Sequence, residues 1–114
     1  MSLDIWLTAR ITTEVHELNI THNLGKMASA VILNEAGLTL YDVMWRPDEH
    51  EFTQAKHIYK WLKRGLKLLK ADPDKYKAFN PENEWGDYYG LVRVVELYTE
   101  ACKRWRTAKI HISR

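Results

Sequence analysis

The chain has 114 residues, of which 46% are apolar and 28% charged, with a net charge of +2. That length fits one domain over 1–114, able to bury about 65% of its unfolded surface without staples. This composition argues against disorder, the charge alone does not announce a nucleic-acid partner, and no apolar run approaches the roughly 18 residues of a membrane span. The lone cysteine, Cys102, allows no internal disulfide and suits a reducing compartment. No secretory leader pattern opens the sequence, so a cytoplasmic protein without membrane contact is expected.

LDIWLTAR (3–10) alternates Leu3, Ile5, Leu7 and Ala9 with Asp4, Trp6, Thr8 and Arg10, the mark of a half-buried strand. ITTEVHELNI (11–20) is rich in β-branched residues and reads as its hairpin partner. Thr21 is a good cap for a helix whose Leu24, Met27, Ala28 and Val31 fall on one stripe and which Gly37 would end. LTLYDVMWRP (38–47) is ambiguous between helix and strand, and Pro47 stops either one. From 52 to 73 the pattern is clearly helical, with Thr53 as the expected cap. Ile58, Leu62, Gly65 and Leu69 lie on one side at 100° per residue, and Lys56, Lys60, Lys63, Lys67 and Lys70 form a stripe opposite.

Asp72-Pro73 breaks that helix, and a short helical turn follows. NPENEWGDYYG (80–90) is a loop by its Asn, Pro and Gly content. Asp87 should cap a last helix carrying Leu91, Val95, Tyr98, Cys102 and Trp105 on one stripe. AKIHISR (108–114) alternates again and makes a closing strand. The fold expected is α+β: a small antiparallel sheet of N-terminal hairpin and C-terminal strand, with about three helices packed on one face.

Three segments carry more polar and aromatic groups than a core requires. THN at 21–23 places His22 and Asn23 at a helix start, where free N–H groups and a partial positive charge favour anions; local capping is the competing explanation. WRP at 45–47 sets an aromatic plane beside a planar guanidinium, Arg46, a pair suited to a base or a phosphate. The 80–90 loop adds Asn83 and Trp85. The five histidines show no ligand spacing, and only a sheet-borne meeting of His16, His22 and His111 would make a metal centre, so no metal and no cofactor is expected. Cys102 sits on an apolar stripe and reads as packing. Residues 53–77 hold eight cations against two carboxylates, a face that would track a phosphate backbone or simply be solvated.

On NITHNL (19–24), WRP (45–47), FNPENEWG (79–86) and the terminal Ser113-Arg114, the chain resembles a group of small, uncharacterised proteins of tailed bacteriophages, in the same order over nearly its whole length. The resemblance implies a phage origin and a host-cytoplasm setting, and supplies no activity. It marks His22, Asn23, Trp45, Arg46, Asn83, Trp85 and Arg114 as one candidate pocket, formed if the loop after residue 79 folds back over the first helix's N-terminus. A non-catalytic binding module for a nucleotide-like or other anionic host ligand, or for a host protein, is the leading expectation. The alternatives are a nucleic-acid binder using the 53–70 lysine stripe and an enzyme with His22 as general base.

Overall fold

The computed structural model describes residues 2–9 and 13–114, the side chains of residues 9 and 13–16 apart. Strand β1 (Ser2–Ala9) pairs antiparallel with β2 (Thr13–Thr21) on one side and with β3 (Lys109–Ser113) on the other, in the order β2-β1-β3. The alternation read from the sequence is what sorts the faces. Leu3, Ile5 and Leu7 of β1 with Leu18 and Ile20 of β2 are buried toward the helices. On the opposite face Trp6 stacks on His111, its cross-strand partner, with ring centroids 5.3 Å apart, and the Thr8 hydroxyl is 2.9 Å from His111 Nε2. The expected strand over 11–20 is present from Thr13, and residues 11 and 12 lie outside the described region.

The first helical region is shorter than its apolar stripe suggests. Thr21 caps it as expected, its Oγ1 accepting from the Asn23 N–H at 3.3 Å, but a 3-10 turn (His22–Leu24) leads into α1 (Gly25–Ser29) only. The helix does not reach Gly37. From Val31 the burial alternates, with Val31 and Leu33 buried and Ile32 60% exposed, and Ile32 bridges to Thr39 as in a hairpin. Two β-branched residues in succession favour that extended form over another helical turn. Gly37 instead completes the hairpin turn at φ 91°, a conformation glycine adopts without steric cost.

The ambiguous 38–47 segment is helical. Thr39 and Asp42 form a reciprocal capping box at the start of α2 (Leu40–Trp45), and a 3-10 turn (Pro47–His50) follows. Helix α3 (Ala55–Ala71) begins one residue later than expected. Gln54 is its cap rather than Thr53, because the Thr53 carbonyl accepts from Ile110 N at the edge of β3, which draws Thr53 into the sheet. His57 Nδ1 then accepts from both the Thr53 and Gln54 amides at 3.1 Å. Asp72 caps α4 (Pro73–Lys77), and Asp87 caps α5 (Tyr88–Arg104) with a 2.8 Å bond from Gly90 N.

α3 and α5 lie side by side, with the Tyr88 hydroxyl donating to the Leu69 carbonyl at 2.7 Å and Lys70 3.6 Å from Glu96. Cys102 is buried between apolar neighbours, and that burial pushes its thiol up to about 12, which removes it as a nucleophile at neutral pH. Tyr98 is fully buried, and its hydroxyl has no hydrogen-bond partner among the described residues. Tyr98→Phe is therefore expected to stabilise the chain by about 1 kcal/mol, since an unsatisfied buried donor is removed at little change in shape. A thermal melt should rise by roughly 4 °C. A fall of similar size would mean that the hydroxyl is satisfied after all.

Candidate functional site

The seven residues singled out in the sequence gather into two adjoining groups. In the first, the buried Trp45 (1% exposed) is the hub. Its indole N–H donates to His22 Nδ1 at 2.8 Å, and Tyr41 stacks on it at 5.2 Å. Its carbonyl accepts from the Arg114 guanidinium at 2.9 Å, while the same guanidinium grips Asp48 through both carboxylate oxygens, at 2.8 and 3.3 Å. The Arg114 hydrogen bond is the main reason the Asp48 carboxyl lies below its usual range. Arg46 is held by the Tyr41 hydroxyl and, at 2.9 Å, by Glu49, and these hydrogen bonds raise its guanidinium above the ordinary value. Asn23 turns back to Thr21, its side-chain amide donating to Oγ1 at 3.2 Å.

The second group is the 79–87 loop, and it does fold back over the start of the first helical region. Gly86 has φ 99°, and a Cβ there would lie 2.9 Å from Thr21 Cγ2 and 3.1 Å from Leu24 Cγ. Only a residue without a side chain lets the loop seat so closely. Asn80 Oδ1 accepts from the Tyr88 amide and Asn83 Oδ1 from the Trp85 amide, at 2.9 and 3.0 Å. Trp85 itself points away, 71% exposed. His22 and Arg114 thus each bond Trp45, one through the indole and the other through the carbonyl, while Arg46 is held by Tyr41 and Glu49 and Asn23 by Thr21. His22 accepts through Nδ1, so its neutral ring carries the proton on Nε2. Trp45 is too deep to stack on a ligand. The bonds through Trp45 close a seam between the first helical region, α2 and the C-terminal Arg114.

A cleft lies elsewhere. It is an open depression of about 820 Å³ between the 34–38 turn, the Pro47–His50 turn and the first turns of α3. Phe52 and Trp61 supply aromatic surface, Lys56 and Lys60 supply cations, and Asp42, His50, Glu51 and His57 complete the polar lining. Lys60 Nζ stands 4.8 Å over the Trp61 ring. His50 Nε2 is 3.7 Å from Asp42 Oδ1, and its ring stacks on Phe52. The leading amides of α3 are not free for a ligand, because Ala55 N and Lys56 N donate to the carbonyls of Ala108 and Arg106. Anion attraction in this cleft therefore comes from the two ammonium groups and from His57. With Nδ1 accepting two amides, the neutral His57 ring has Nε2–H as its donor.

None of the seven sequence-selected residues lines this cleft. The signal available was the spacing of Lys56, His57, Lys60 and Trp61, neighbours at i, i+1, i+4 and i+5 on one part of α3. The lysines stood out as a stripe along the whole helix. The partners across the cleft, from the 34–52 stretch, come close only in three dimensions.

The His16, His22 and His111 meeting involves His16, whose side chain is outside the described region; His111 is occupied by Trp6 and Thr8. Among the described residues, no three of His, Cys, Asp and Glu gather as metal ligands, and no helix is long and apolar enough to cross a membrane. No family model matches the chain, and no curated protein or solved structure matches it significantly.

Proposed function

We propose that this chain is a non-catalytic binding module of phage origin, working in the host cytoplasm, that holds a small anionic, nucleotide-like ligand. The observation that carries this reading is that two lysines and two aromatic rings line the same 820 Å³ cleft. That volume lies in the range of small-molecule sites, which is roughly 300–1,000 Å³. Lys56 and Lys60 would take a phosphate, and Trp61 or Phe52 would face a base. Asp42 and Glu51 lie in the same lining and suit the donors of an exocyclic amine. His57 favours binding over catalysis. His57 has its Nδ1 lone pair committed to two amides, so it offers a fixed donor and no base.

Titration calorimetry with mononucleotides and cyclic dinucleotides tests the assignment. The Lys56→Ser/Lys60→Ser double variant is expected to bind at least tenfold more weakly, about 1.4 kcal/mol. Lys63→Ser/Lys67→Ser, farther along the same stripe, should bind like wild type. If no nucleotide gives heat up to millimolar concentration, the cleft reading falls. If Lys63→Ser/Lys67→Ser abolishes binding to duplex DNA, and the wild-type affinity falls by roughly 0.9 log unit per log salt for each phosphate contacted, the lysine stripe is a nucleic-acid surface instead.

A further inference from the structure

The aromatic surface on 79–89 is unaccounted for by the cleft or by the seam. Trp85 is 71% exposed, Tyr89 64% and Phe79 36%, all within one short segment. Single exposed aromatics are ordinary, but several together mark an interaction surface. Trp and Tyr are also the residues that anchor interfaces. The Trp85 backbone is held by Asn83 and by the seating of Gly86, so the indole is presented outward from a fixed point.

Charge identifies the occupant. Residues 79–87 contain Glu82, Glu84 and Asp87 and no Lys or Arg. Glu82 and Glu84 are exposed and make no ion pair among the described residues. The outer face of α3 has the opposite character: Lys63 and Lys67 are exposed, one turn apart, and likewise make no ion pair among the described residues. The molecule already uses the contact that would join the two, since Lys77 Nζ sits 4.8 Å over the Tyr89 ring and Lys60 4.8 Å over Trp61.

We propose that the Trp85 loop docks on the Lys63–Lys67 face of α3 in a second copy of this chain. The two patches differ, so the contact is heterologous and adds copies head to tail unless the rotation closes. Its attraction is electrostatic at the rim and cation–π at the centre, which makes it weak and salt-sensitive.

Sedimentation equilibrium of the full chain decides the question. At about 20 mM salt, where the Debye length is on the order of 20 Å, the mean mass should rise with concentration above the 13.5 kDa monomer, and it should return to monomer near 0.5 M salt. Trp85→Ala, Glu82→Lys/Glu84→Lys and Lys63→Glu/Lys67→Glu should each stay monomeric at low salt, and all change exposed side chains. Mixing the two charge-reversed proteins should restore association, because each loop then meets a face of opposite sign. Adding Trp85→Ala to both should abolish it again. A wild-type chain that stays monomeric at low salt overturns the proposal. So does association that survives Trp85→Ala, or a charge-reversed mixture that remains monomeric.

Discussion

Trp45→Ala is expected to destabilise the chain by about 3–5 kcal/mol at 25 °C. Truncating a fully buried Trp costs about 3–5 kcal/mol, and small domains hold only about 5–15 kcal/mol in total. Here the loss extends beyond the cavity, because the indole is the floor for Tyr41 and the donor to His22. Trp45→Phe separates these contributions. It keeps an aromatic ring against Tyr41 and removes the 2.8 Å hydrogen bond, for an expected loss of about 1–2 kcal/mol. In a His22→Phe background the same change should cost markedly less, since the acceptor is already gone. Urea denaturation of the four proteins gives the coupling. A Trp45→Ala protein that loses less than about 2 kcal/mol would show that the seam is not organised around this indole.

The second large effect is expected at Gly86. Gly86→Ala meets two obstacles at once, a φ of 99° and a Cβ placed 2.9 Å from Thr21 Cγ2. Backbone strain costs about 1–2 kcal/mol and overpacking a further 1–3 kcal/mol, so a loss of roughly 2–5 kcal/mol follows. Gly37 provides the control. It has a similar φ of 91° with nothing within 4 Å of the Cβ position, so Gly37→Ala should lose only the backbone part, about 1–2 kcal/mol. The difference between the two variants, read from their urea midpoints, measures how tightly the loop seats on Thr21 and Leu24. Equal losses would mean that the loop does not rest there. Gly86→Ala should also free the Trp85 indole to move, visible as lower fluorescence anisotropy in a protein whose other tryptophans are changed to Phe where they tolerate it.

Glycine spacing and capping residues show how far local pattern carries. Thr21 and Asp87 do cap the elements that they were expected to cap, Asp72-Pro73 does end the long helix, and the three strands lie where alternation and β-branched content put them. Gly37 shows where the pattern is insufficient. A glycine with positive φ serves a helix end and a hairpin turn equally well, and only the bridge from Ile32 to Thr39 distinguishes them. Thr53 failed as a cap for a related reason. Its backbone is claimed by Ile110, far away in sequence, and no local propensity reports that.

The candidate residues divide in the same way. Their chemistry was legible: His22, Trp45 and Arg114 do meet, and the 79–87 loop does return over Thr21. Whether a meeting of polar groups is a pocket or a closed seam depends on which donors and acceptors are already satisfied, and that is a property of the packed chain. The cleft between the 34–52 stretch and α3 required the hairpin at 31–39, which the apolar stripe of the first helical region concealed. The sequence by itself determined the α+β class, the strand faces, the amphipathic helices and the lysine stripe, because each depends on contacts or periodicities within a few residues. Tertiary structure alone decided which tryptophan is buried and which is exposed, and which lysines border a cavity, because burial is set by neighbours contributed from distant parts of the chain.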